Sequence, residues 1–156
     1  MFDWSQYLWL IPALPLAASV LITFFGCRVL RNQSHWPCIV GIAGSCVLSG
    51  LVLLAVADRP PDQPLWQTYY TWFQAGAADA GFALRADSLT AIMLVTVTFI
   101  GSLIAIYSSG YMHGDPGYPR FFAEIALFVF AMTGLVLADN FLVLFAFWEG
   151  VGLCSY

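Results

Sequence analysis

The sequence predicts an all-α membrane protein of about five transmembrane helices, and three observations predict it. Of the 156 residues, 61% are hydrophobic and 9% charged; a soluble domain has about 45–50% apolar and about 25% charged residues. The apolar residues gather into runs at about 7–25, 37–57, 88–107, 121–138 and 140–156. As helices, runs of about 20 residues cross a ~30 Å hydrocarbon core. Polar or proline-rich connections separate them, the longest being the loop 58–86. The chain reads as one membrane domain, 1–156.

The first run, 7–25, follows the segment MFDWSQ, which holds Asp3 and no basic residue. A cleaved signal peptide needs a basic start, so this run is a retained span. Pro12 and Pro15 fall in its first half and predict a kink near its start. Membrane helices tolerate proline where neighbours re-satisfy the freed carbonyls. Trp4 and Trp9 suit an interfacial belt. A polar connection with Arg28, Arg31 and His35 leads to the second run, 37–57. Gly41, Ser45 and Ser49 recur there every four residues. Small residues on one face let helices approach closely.

The loop 58–86 opens with DRPPDQP, whose prolines forbid a regular helix. Its aromatic stretch includes Trp66, Tyr69, Tyr70, Trp72 and Phe73. That stretch suits either the lipid interface or a short hairpin. Asp87 is the expected N-cap of the third run. Thr90, Thr96, Thr98 and Ser102 are expected to bond back to carbonyls of the preceding turn. The connection SSGYMHGDPGYPR, 108–120, has Asp115-Pro116-Gly117 as its turn. In the fourth run Glu124 is shallow, placed to lean toward headgroups or to pair with Arg120 four residues earlier. Asp139-Asn140 is too short to cross a bilayer, so the fourth and fifth runs form an antiparallel helical hairpin. Either residue can cap the fifth.

The fifth run reads DNFLVLFAFWEGVGLCSY and contains one acid, Glu149. In a helix from Asn140 that acid lies roughly 13–14 Å in, about half of the hydrocarbon thickness. A charged acid there costs on the order of 2.5–3.5 kcal/mol. Glu149 is therefore the candidate site residue, handling protons or cations within the membrane. The alternative is a neutral acid that hydrogen-bonds another helix. Gly150 and Gly152 flank it and admit a neighbouring backbone or a file of water.

Other chemistries find no support. The basic residues are five Arg and no Lys, without a patch for nucleic acid. Cys27, Cys38, Cys46 and Cys154 form no metal-binding spacing, and only two His accompany them. No Gly-rich nucleotide fingerprint follows a strand. The connections 26–37 and 108–120 share one side and carry Arg28, Arg31 and Arg120, against Arg59 and Arg85 on the other. The positive-inside rule then places the N-terminus outside. Tyr156 stops the chain inside an apolar run, which predicts a truncated chain or part of a longer assembly.

Three stretches carry a resemblance: ADSLTAIML at 86–94, YMHGDPGYPRFFA at 111–123 and WEGVGLCSY at 148–156. They resemble the N-terminal part of chain L (subunit 5) of proton-translocating NADH-quinone oxidoreductase, complex I. The resemblance implies an antiporter-like fold with broken helices and inverted repeats. It implies that Glu149 matches a fifth-helix glutamate, paired with a lysine on a later helix beyond Tyr156. Phe147 departs from the glycine common before Trp-Glu in the family. The implied function is proton translocation coupled to quinone reduction, within an enzyme complex. No redox cofactor is implied on this chain; NADH, flavin, iron–sulfur clusters and quinone belong to other subunits. The implied partners are other membrane-arm subunits, the lipid bilayer and protons, with no nucleic acid. The implied location is the inner (plasma) membrane, or a mitochondrial or thylakoid membrane if organellar. Two alternatives stay open: a subunit of an Mrp-type cation/proton antiporter, and a truncated, non-transporting helical fragment.

Overall fold

The computed structural model describes residues 4–26, 30, 33–60, 63–75 and 78–156. The expectations resting on Asp3, Cys27, Arg28 and Arg31, and on the side chains of Trp72 and Phe73, lie outside what is described. A 3₁₀ turn, Trp4–Tyr7, leads into α1 (Leu10–Phe25) and α2 (His35–Ala57). A β-hairpin follows, β1 (Leu65–Ala75) with β2 (Ala78–Ala86), and then α3 (Ser88–Tyr111), α4 (Tyr118–Leu137) and α5 (Phe141–Ser155). Among the described residues four helical stretches are long and apolar enough to cross a membrane: Trp4–Phe25, His35–Ala57, Ser88–Tyr111 and Tyr118–Leu137. Helix α5 has 15 residues, roughly 22 Å.

The helix bounds differ from the sequence reading for local reasons. Helix α4 starts at Tyr118 because Pro119 sits in its first turn, where a missing N–H leaves nothing unpaired. Helix α3 continues to Tyr111, its Ser109 hydroxyl donating to the Ile106 carbonyl at 2.7 Å. In α1, Pro12 falls in the first turn and Pro15 is the interior proline.

Pro15 cannot donate to the carbonyl of Ile11, four residues back. The hydroxyl of Ser45 on α2 donates to that carbonyl instead. The approach is possible because Gly41 lies against α1: a Cβ there would sit 2.9 Å from Ala18 Cβ. Ser49 donates to the Ser45 carbonyl at 2.8 Å, completing the small-residue face. Ser45→Ala is therefore expected to cost about 0.6–2 kcal/mol, the range for interhelical hydrogen bonds in membranes. In a Pro15→Ala background the cost shrinks, because that substitution restores a backbone N–H that serves the Ile11 carbonyl. Detergent-titrated unfolding of the four variants measures this; equal costs in both backgrounds would contradict it.

Helix α1 packs on α2 and α4, α2 also on α3, and α3 on α4, while α5 lies on α4. The core has two parts. One gathers Leu8, Ile11, Val56, Leu65, Leu84, Leu94 and Leu137 under the hairpin. The other gathers Ile22, Cys38, Ile42, Ala105, Tyr118, Phe122 and Val129 toward the opposite end. There Tyr118 Oη and His35 Nδ1 are hydrogen-bonded at 2.8 Å, joining the starts of α4 and α2. Within this second part Ser19 donates to the Ala123 carbonyl at 2.8 Å.

The hairpin answers the question left open by the aromatic stretch. Its strands pair antiparallel from Leu65↔Ala86 to Tyr70↔Phe82 and beyond, with an irregularity between Thr68 and Tyr70. That irregularity falls at Tyr69, whose hydroxyl donates to the Ser5 carbonyl at 3.3 Å. Bulges redirect side chains in this way. The strand ends feed Leu65 and Leu84 into the core.

Asp87 caps α3, its Oδ1 accepting from the Thr90 N–H at 2.8 Å. That bond holds the Asp87 carboxyl below the usual carboxylate range, partial desolvation opposing it and Arg85 assisting. A lowered pKa means stability that is complete above the ordinary value of 3.8 and is lost as the pH falls below it. Asp87→Asn keeps an acceptor for Thr90 and removes the titration, so this part of the acid sensitivity disappears. Asp87→Ala loses the cap, about 0.5–2 kcal/mol. Melting temperatures in detergent from neutral pH to pH ~3 check both. Further along α3, Thr96, Thr98 and Ser102 donate to Ile92, Leu94 and Thr98 carbonyls at 2.7–2.9 Å, as expected of helical hydroxyls. Thr90 departs from that pattern by serving the cap.

Candidate functional site

Helix α5 starts where Asn140 Oδ1 accepts from the Val143 N–H at 2.9 Å. Its inward line is Val143, Phe147, Gly150 and Cys154, spaced four, three and four residues apart. This spacing keeps one narrow stripe on a neighbouring helix. Phe147 fills a notch at Gly134 of α4, where a Cβ would come within 2.4 Å of the ring. The same ring meets Phe130 edge-on, centroids 5.5 Å apart. At Gly150 a Cβ would lie 3.3 Å from Ala131 Cβ. Phe147 thus has a built seat on α4.

Glu149 lies on the other side of α5. It is exposed, beside Phe141 (89% exposed), Phe145 (63%) and Trp148 (63%). No ion pair or hydrogen bond joins it to another described residue. The flanking glycines take different roles. Gly150 admits α4, whereas Gly152, one turn from Glu149 on the open side, has nothing within 4 Å of a Cβ. Among the described residues Glu149 faces no other helix, because Phe147 claims the contact with α4. A carboxyl group on an apolar helix face requires a polar partner or water from elsewhere.

The second intramembrane acid, Glu124, behaves as its spacing suggests. Arg120 Nε donates to Glu124 Oε1 at 2.7 Å, with the side chains 85% and 47% exposed. Because α4 begins at Tyr118, Glu124 is deeper than the sequence implies, roughly 9 Å from the helix start. It lines an apolar cleft of about 410 Å³ between α3, α4 and the end of α5, with Thr96, Phe128, Met132 and Cys154.

Sequence reasoning missed what holds the α4–α5 turn. Ala138 pairs with Leu84 of β2 as a β-bridge. Asp139 Oδ2 accepts from Trp66 Nε1 at 3.0 Å. Asn140 Nδ2 donates to the Gly81 carbonyl at 2.6 Å. The available signal was a pair of polar residues in a three-residue turn, more polar groups than one cap requires. Among the described residues no cluster of three metal-ligating side chains occurs.

Residues 72–122 match the family described as NADH-Ubiquinone oxidoreductase (complex I), chain 5 N-terminus. The NADH-quinone oxidoreductase subunit L of Escherichia coli (strain K12) is 45% identical over 150 residues, covering 92% of this chain and 23% of the relative. Subunit L of Neisseria meningitidis serogroup B is 40% identical over 157 residues, 100% of this chain and 23% of that one. The chloroplastic NAD(P)H-quinone oxidoreductase subunit 5 of Mesostigma viride is 41% identical over 97% of this chain and 24% of the relative. The chain thus spans about a quarter of the length of the curated relatives it matches. Among solved structures, a chain of the Mrp complex from Dietzia sp. DQ12-45-1b superposes with a TM-score of 0.70 at 27% identity. That match covers 96% of this chain and 15% of the Mrp chain.

Proposed function

We propose, starting from the chain's homology to the N-terminal region of complex I chain 5 (subunit L), that it is membrane-arm material of a proton-translocating NADH-quinone oxidoreductase. Glu149 takes up and releases the transported proton at mid-membrane. One observation carries the reading. A lone acid sits roughly 12 Å along apolar α5, exposed among Phe141, Phe145 and Trp148. Such an acid is costly unless a segment outside these residues pairs with it, and intramembrane acids of this kind mark ion pathways. The resemblance names that partner as a lysine on a later helix.

The partners in this reading are other membrane-arm subunits, with lipid against the outward apolar faces, such as Val40, Val47 and Leu54 of α2. NADH, flavin, iron–sulfur clusters and quinone are held by other subunits, and the redox chemistry is theirs. The membrane is the inner (plasma) membrane, or a mitochondrial or thylakoid membrane in an organelle. The N-terminus is outside, which puts the hairpin and the α4–α5 turn outside as well. The Arg distribution supports this orientation.

Proton uptake by vesicles holding the assembled protein, with the Glu149 carboxyl group removed, tests the reading. Undiminished uptake ends it. A second reading, cation/proton antiport in an Mrp-type assembly, is favoured by the structural likeness to the Mrp chain. The higher identity to subunit L ranks it second, and uptake that requires sodium would reverse the order.

A further inference from the structure

We propose that Asn140 is a positioning residue that aims Glu149, by fixing how far α5 is rolled about its own axis. The inference rests on the proton-path reading of Glu149. Asn140 is half-buried, and both ends of its carboxamide are engaged. Oδ1 accepts from the Val143 N–H at 2.9 Å, which is the helix cap. Nδ2 donates to the Gly81 carbonyl of β2 at 2.6 Å, which is not needed for capping. A cap alone requires only an acceptor, so a serine or aspartate would serve it equally. The second bond ties the capping residue of the helix to a different element.

That tie bears on the acid because α5 is held on one side. Phe147 in the Gly134 notch and Gly150 against Ala131 set its distance from α4. That seat chooses the side of α5 that meets α4, and within the width of so narrow a stripe the helix can still roll. Glu149 lies roughly 130° around the axis from the line through Val143, Phe147 and Gly150, counting about 100° per residue. A roll therefore moves it sideways, across the space where its partner must stand. The helix is stiff over the roughly 13 Å between Asn140 and Glu149. A rotation fixed at the cap is thus delivered to the acid.

Asn140→Asp separates the two bonds. It keeps the cap and places a negative charge favourably at a helix start, but it sets an acceptor against the Gly81 carbonyl. The experiment uses the assembled protein. The infrared band of the Glu149 carboxyl group is assigned as the one lost in Glu149→Gln, and assembly is followed on native gels. The expected result is an assembled Asn140→Asp protein whose Glu149 band is shifted in frequency and whose proton translocation falls. Asn140→Ser, which also retains a cap acceptor, gives the same shift. A Glu149 band at its wild-type position in assembled Asn140→Asp overturns the proposal. So does failure of both variants to assemble, since the tie then serves folding and not aim. Undiminished translocation by Glu149→Gln removes the proton-path reading instead, and the band shift alone then decides whether Asn140 positions the side chain.

Discussion

Glu149→Gln lowers proton translocation by the assembled protein at least about 10²-fold, the lower end for a positioned acid–base group, and leaves assembly intact. Glutamine keeps the size and hydrogen-bonding capacity of the acid but has no proton to exchange. No bond to another described residue is lost, because Glu149 is exposed on α5 and unpaired among the described residues. Glu149→Asp retains the acid with a shorter reach and falls by less, on the order of one tenfold step, or ~1.4 kcal/mol. Vesicle acidification beside a native-gel assay measures both. A Gln variant that pumps normally shows that this carboxyl group is off the proton path. Loss of assembly without a specific loss of transport shows instead a neutral acid that holds two helices together.

Gly134→Ala separates α4 from α5. The added methyl would lie 2.4–2.6 Å from three atoms of the Phe147 ring, closer than any real contact. The ring must leave its notch and give up the edge-on contact with Phe130, or the helices must move apart. Overpacking of this kind costs about 1–3 kcal/mol. Hydrophobic burial offers no compensation between helices in lipid, where fit alone favours the contact. Adding Phe147→Ala relieves the clash, so the double variant is more stable than Gly134→Ala alone. Unfolding free energies of the four proteins in mixed micelles give the coupling, expected at about 0.5–3 kcal/mol. Additive effects would mean that the ring can turn aside without cost.

The parts of this structure that were legible in the sequence are those set by one segment at a time. Hydropathy and length marked the spans. Asp87 and the pair Asp139-Asn140 announced their helices as short polar side chains before apolar runs, and the structure gives the second cap to Asn140. Arg120 and Glu124 met because residues four apart face each other on a helix. What was not legible depends on two segments meeting. The aromatic stretch 65–73 satisfies an interface and a strand equally well, and only the pairing of Leu65 with Ala86 decides between them. The direction of Glu149 was hidden for another reason. Helix α5 is apolar on every side apart from this acid, so its periodicity gives no inward face. The fit of Phe147 into Gly134 chooses the face, and that choice turns the acid away from α4.

The hairpin over the α4–α5 turn has a consequence for biosynthesis. Gly81 precedes Asn140 by 59 residues, so at about 5–20 residues per second it leaves the ribosome roughly 3–12 s earlier. A hairpin forms in about 1–10 μs once its strands are free. The two strands that hold the turn are therefore made before the turn itself. When α4 and α5 emerge, the segments that carry Trp66 and the Gly81 carbonyl, the partners of Asp139 and Asn140, have already been synthesised. The nascent chain carries its own template, and the last helix of this stretch is placed against a surface that the ribosome finished several seconds before.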